Sequence, residues 1–177
     1  MKQTTLLFTA VIALFMLSAS TGCKPPRFTD PVAYNDSIID RIDKNTDVLS
    51  ALDDDLSYDD GSKINDSYKA AIDTVNKVLN YIKSMGEFKG YDDFRKAAET
   101  FVQNDLNRLN GGYKELVDEV VKYGADWPDD AIDPFNDKLK KIDDAGIADM
   151  DAFNTAQDKF ATKFNFSVMH TPEPEKK

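Results

Sequence analysis

The residues best equipped for chemistry in this sequence are aspartates, and they fall in two groups. Asp53-Asp54-Asp55 is followed closely by Asp59-Asp60-Gly61, and clustered carboxylates are the donors that Ca²⁺ prefers, about six to eight oxygens at a time. The EF-hand order D-x-[DN]-x-[DN]-G is not met, because counting back from Gly61 puts Leu56 and Tyr58 at ligand positions. Acid at the C-terminal end of a helix also opposes the macrodipole, a cost that a bound cation would relieve. The plainer alternative is a solvated acidic loop, the usual meaning of such a run. The expectation is therefore no resident metal, with Asp53, Asp54, Asp55, Asp59 and Asp60 as the weak candidates. The second group is Asp126, Asp129, Asp130, Asp133 and Asp137, within which Asp133 reads as the N-cap before Pro134. Trp127-Pro128 in the same stretch is either an exposed anchor for a protein partner, since tryptophan is enriched at binding hot spots, or a cap folded over the bundle end. The usual burial of tryptophan favours the cap.

The catalytic inventory is thin. His170 is the only histidine and Cys23 the only cysteine. No Gly-rich phosphate loop, His-rich metal motif or serine elbow appears. Paired carboxylates can serve as acid and base, but among so many aspartates any chosen pair would be a coincidence. The expectation is a protein that is not an enzyme and carries no cofactor.

Charge narrows the partners. The chain has 22 basic and 32 acidic residues, a formal net charge of −10. Phosphate binding relies on Lys and Arg neutralisation, so this balance argues against nucleic acid and against docking on anionic lipid head groups.

The N-terminal stretch decides where such a chain would work. Lys2 precedes the apolar run Leu6 to Leu17, about a dozen residues, whereas a bilayer-spanning helix needs ~20. Small residues follow it, as in an export signal that is removed. Two cuts compete. Ser18-Ala19-Ser20 would suit an ordinary signal peptidase and release a soluble chain beginning at Thr21. Thr21-Gly22-Cys23 resembles the end of a bacterial lipobox, with Ser20 where leucine is usual, and would make a diacylglyceryl-modified Cys23 the mature N-terminus. The lone cysteine, its distance from the apolar run and the tether-like Lys24-Pro25-Pro26-Arg27 favour the second. The expected organisation is a signal peptide over 1–22, a lipidated tether over 23–29, a bundle over 30–166 and a disordered tail over 167–177.

Everything behind the tether reads as helix. Asp30-Pro31 is a start signal, and Ile38, Ile42, Leu49, Leu52 and Leu56 keep one face apolar, with Thr46 in the missing turn. Ile64, Tyr68, Ile72, Val75, Leu79 and Ile82 form the clearest stripe, closed by Gly86 as a left-handed C′ residue. A third stripe runs from Phe94 through Phe101 and Leu109 to Tyr123, in phase across Gly111-Gly112, which predicts one kinked helix ended by Gly124. Phe135, Leu139, Ile142, Met150, Phe153, Phe160 and Phe164 mark the fourth helix, expected to begin near Ala131 or, more firmly, at Asp133-Pro134 and open to a break near Asp144 to Ile147. Acid-then-base pairs four apart, Asp40 with Lys44, Asp73 with Lys77, Asp92 with Lys96, Asp118 with Lys122 and Asp137 with Lys141, mark solvated faces. The prediction is an all-α, antiparallel up-down four-helix bundle with helices near 30–56, 62–85, 91–123 and 132–166.

Tyr34-Asn35-Asp36, Phe88-x-Gly90-x-x-x-Phe94-Arg95-x-Ala97-Ala98 and Phe153-Asn154-x-Ala156-Gln157-x-x-Phe160-Ala161-x-Lys163-x-Asn165-Phe166 resemble a family of helical surface lipoproteins from Bacteroidetes and spirochaetes. The resemblance implies an anchored helical bundle and transfers no catalytic residue. The expected function is a non-enzymatic interaction module at the bacterial cell envelope, held in the membrane through a lipid on Cys23 and facing an envelope, host or matrix protein. It would sit on the outer membrane or cell surface, with the periplasmic face as the other location. The alternative is a small-ligand or cation-binding helical protein.

Overall fold

The computed structural model describes residues 27–58 and 62–168. The leader, Cys23, Asp59 to Gly61, and residues 169–177 of the tail, His170 among them, lie outside the described residues. The regular structure is helical throughout: α1 (Pro31–Tyr58), α2 (Ile64–Ser84), α3 (Asp93–Arg108), α4 (Lys114–Tyr123) and α5 (Asp129–Phe164), with a π-helical turn at Leu109–Tyr113 joining α3 to α4. Among the described residues there is no strand, only an isolated bridge between Phe88 and Tyr91. The expected all-α bundle is what forms. No helix among the described residues is long and apolar enough to cross a membrane.

Asp30 opens α1, its Oδ1 accepting from the Val32 amide at 3.0 Å, a cap that contributes about 0.5–2 kcal/mol. α1 and α2 lie antiparallel. The Tyr34 hydroxyl near the start of α1 donates to the Gly86 carbonyl just past α2, at 2.9 Å, and Ser67 near the start of α2 bonds Asp55 near the end of α1. α3 and α5 are antiparallel as well: Phe94 stacks on Phe160 with centroids 5.1 Å apart, and Asn104 donates to Asp149 at 2.9 Å.

Several boundaries differ from expectation. Gly86 is not a left-handed cap. α2 ends at Met85 in an extended conformation, and the positive φ values fall instead at Lys89 (49°) and Gly90 (78°). There Phe88 and Tyr91 exchange both backbone hydrogen bonds, at 3.0 and 2.9 Å. The reason is Phe88, which the extended exit and tight turn tuck into the core. Asp133 is not an N-cap either. α5 begins four residues earlier, after an extended Pro128, with Asp129 and Asp130 in its first turn, where carboxylates complement the positive end of the helix dipole. Pro134 therefore lies inside the helix, past the first turn, where its missing N–H removes one i→i−4 bond.

Neither Gly pair nor lone glycine breaks its helix. Helical backbone is continuous through Gly111-Gly112, which sit in the π-turn, and a Cβ on Gly112 would come within 2.9 Å of Ile142 Cδ1. The bare backbone there lets α5 approach. α5 also runs unbroken through Gly146, where the Arg108 guanidinium lies at ordinary van der Waals distance, 4.0 Å, from the position a Cβ would take. Gly124 closes α4 at φ 53°, as expected. Of the five acid-then-base pairs, only Asp92 with Lys96 closes, at 3.3 Å. Asp118 pairs with Lys114 instead, and Lys122 bonds the Tyr123 hydroxyl, as expected where exposed side chains gain little from any one partner.

Candidate functional site

The weak metal candidates of α1 are not brought together. Asp53, Asp54 and Asp55 are consecutive on a helix and so point three ways: Asp53 inward, Asp54 to solvent, and Asp55 to Ser67. Asp59 and Asp60 lie outside the described residues. Among the described residues no three His, Cys, Asp or Glu converge as metal ligands. Asp126, Asp129, Asp130, Asp133 and Asp137 are all solvent-exposed. Trp127 is half-buried over the bundle end, 5.1 Å from Tyr123 and 4.9 Å from Phe135 by ring centroids. It forms the cap and roofs a recess of about 490 Å³ lined by Leu56, Val120 and Leu139.

The concave feature of the bundle lies elsewhere. α1 and α5 stand apart, leaving a cleft of about 1180 Å³ floored by α3 and the π-turn. Ile39, Ile42 and Leu49 form its α1 wall, and Ile142, Met150 and Phe153 face them from α5. Phe101 and Tyr113 rise from the floor. Val32 and Ile147, two of the four large apolar residues exposed among the described ones, lie on its edge.

Polar groups run beneath this apolar surface. Asp105, 3% exposed, accepts from Asn45 Nδ2 at 2.6 Å and from Arg108 Nη2 at 2.5 Å. Arg108 Nη1 bonds Asp149, which also accepts from Asn104. At one end of the cleft Gln157 donates to Asn35 Oδ1 at 2.8 Å, joining α5 to α1. Asn45 itself is fully buried, and its Oδ1 has no partner. Thr46, placed in the apolar stripe from the spacing, is exposed, and Asn45 holds that inward position.

Charge is one-sided. Asp36, Asp43, Asp47 and Asp53 run along α1, Asp143 and Asp151 face them on α5, and Asp105 lies between. Among the described residues lining the cleft Arg108 is the one cation, and it is already bound by Asp105 and Asp149. Burial pushes Asp53 up to about 6, against the pull of the Tyr113 hydroxyl and with the help of Asp143 and Asp54. Asp43 and Asp143 are also raised, by loss of solvation first and then by like charges, Asp47 and Asp40 for the former and Asp144 for the latter.

Asp53 carries a pH prediction. Its carboxyl is raised in the folded chain above its unfolded value of 3.8, so the folded state holds the extra proton and stability falls as pH rises from about 4 through 6. Asp53→Asn keeps the protonated shape without the charge. After discounting for partial exposure, the variant should gain roughly 1–2 kcal/mol on the natural chain between pH 4 and pH 8. Urea titrations at the two pH values measure it, and a difference independent of pH would refute the assignment.

Compared with family models, with curated proteins and with solved structures, the chain matches nothing.

Proposed function

We propose that this chain is a non-enzymatic interaction module of the bacterial cell envelope, anchored through a lipidated Cys23 and binding its partner in the α1–α5 cleft. The cleft is the observation that carries the binding half of this reading. At about 1180 Å³ it exceeds the ~300–1,000 Å³ of ordinary small-molecule pockets. It combines apolar walls with exposed apolar edge residues, the composition of a surface that waits for a partner. The anchor half rests on the sequence: the Gly22-Cys23 step behind the apolar run, and the single cysteine. Two or more acyl chains at ~0.8 kcal/mol per buried CH₂ hold a protein on its membrane without a spanning helix. The second reading, a small-ligand protein, draws on the same cleft.

Two measurements on protein in its own cells test this. The intact mass of the N-terminal peptide should be that of an acylated peptide beginning at Cys23. A peptide beginning at Thr21 with a free thiol removes the anchor. A photo-crosslinking residue at Ile147, on the cleft edge, should trap one defined protein that the same residue at Val121, exposed away from the cleft, does not. Equal trapping from both positions removes the cleft.

A further inference from the structure

We propose that the occupant of the α1–α5 cleft is a basic amphipathic helix of about 20 residues from a partner protein. This rests on the cleft being the binding surface and adds the chemistry of what binds.

Length comes first. The α1 wall extends from Val32 to Asp53, which at 1.5 Å per residue is about 30 Å, the length of a 20-residue helix. The carboxylates are spread along that length rather than gathered at one point, so a single metal ion or a compact cation satisfies only a few of them. A linear partner with charge along it satisfies all. The partner's sign follows from the lining: carboxylates on both walls, and Arg108 neutralised twice over. The carboxylates of Asp43, Asp53 and Asp143 hold protons more tightly than usual, through loss of solvation first and neighbouring carboxylates second.

Backbone chemistry selects helix over extended chain. The walls are helices, whose interior N–H and C=O groups already bond one another. They offer no open edge for a peptide to add to as a strand. A helical occupant needs none, because its backbone is satisfied internally. It would lay an apolar stripe with anchors three and four apart on Ile39, Ile42, Leu49, Ile142 and Met150, the helix-in-groove mode. Its flanking Lys or Arg residues would reach Asp43 and Asp47 on one rim and Asp143 and Asp151 on the other.

The test uses the chain from Lys24 to Lys177, which contains the whole packed bundle, with a fluorescent 20-residue leucine–lysine peptide whose leucines recur three and four apart. Controls are the same composition scrambled, glutamate in place of lysine, and spermine. The amphipathic basic peptide should bind saturably and move the methyl NMR signals of Ile39, Ile142 and Met150. Binding should weaken at least tenfold for the glutamate peptide, for the scrambled peptide, and for a chain carrying Asp43→Asn with Asp47→Asn, both exposed positions. If spermine or the scrambled peptide moves the same methyl signals with equal affinity, the helix proposal is overturned while the cleft remains the binding surface. If the amphipathic peptide binds but moves only signals outside the cleft, both fall. If it does not bind at all, the helix proposal is overturned.

Discussion

Phe160→Ala is expected to lower the stability of the bundle by about 3–5 kcal/mol, the range for truncating a fully buried phenylalanine. The ring has no exposed surface, and it joins elements rather than filling a gap within one. Its centroid lies 5.5 Å from Tyr34 of α1, 5.7 Å from Phe88 of the turn after α2, 5.1 Å from Phe94 of α3 and 4.8 Å from Phe164 of its own helix. Phe166 lies 5.8 Å away and is fixed there by the helix terminus. Asn165 takes the left-handed conformation, and the Phe166 amide bonds the Ala161 carbonyl at 3.1 Å, which makes Phe166 the apolar residue of a Schellman close. Edge-to-face and offset pairs of this kind contribute about 0.5–1.5 kcal/mol beyond their area. With ~5–15 kcal/mol available to a domain in total, the variant should lose on the order of 10 °C in Tm. Phe164→Ala, at a half-buried ring in the same cluster, should cost distinctly less. Equal losses in the two variants, read by thermal denaturation, would mean that Phe160 is not the hub.

This cluster was readable from spacing, because Phe153, Phe160 and Phe164 recur at helical intervals and rings at such intervals have few alternatives to a core. The cleft was not. Periodicity reports which face of one helix is apolar, and it carries no information on whether two apolar faces meet or stand apart. Its polar floor did leave a trace. Stepping four from Phe101 along the buried stripe lands on Asp105, with Arg108 three further on. Stepping three from Ile42 lands on Asn45, and Gln157 stands between Phe153 and Phe160. The apolar neighbours Leu106 and Leu49 mask these positions in the spacing, although a polar residue on an apolar stripe must be hydrogen-bonded when buried. The Asp53 to Asp55 run fails as a ligand set for the opposite reason. Residues adjacent in sequence looked like a ligand set, yet consecutive helical positions are turned about 100° from one another, so the run divides its carboxylates between core and solvent.

Arg108→Met is expected to cost about 3–5 kcal/mol at neutral pH, the range for removing one partner of a buried charge pair. The guanidinium ties α3 to the middle of α5 beside Asn104, through Asp105 on its own helix and Asp149 across the gap. Burial already pushes the Asp105 carboxyl up, and only Arg108 and Asn45 hold it down. Without Arg108 the folded chain must either keep an uncompensated carboxylate, 3% exposed, or take up a proton. The folded pKa of Asp105 then stands further above its unfolded value, so stability is retained at low pH and lost as pH rises through the new folded value. The deficit against the natural chain should therefore shrink between pH 7.5 and pH 5. Adding Asp105→Asn removes the charge and supplies an amide N–H₂ beside the partnerless Oδ1 of Asn45. The double variant should recover most of the loss and lose its dependence on pH, as expected when both members of a buried pair are replaced together. Urea unfolding of the natural chain, both single variants and the double variant at the two pH values gives the coupling directly. A double variant as weak as Arg108→Met alone would show that the guanidinium acts through Asp149 and its packing against α5 and not through Asp105.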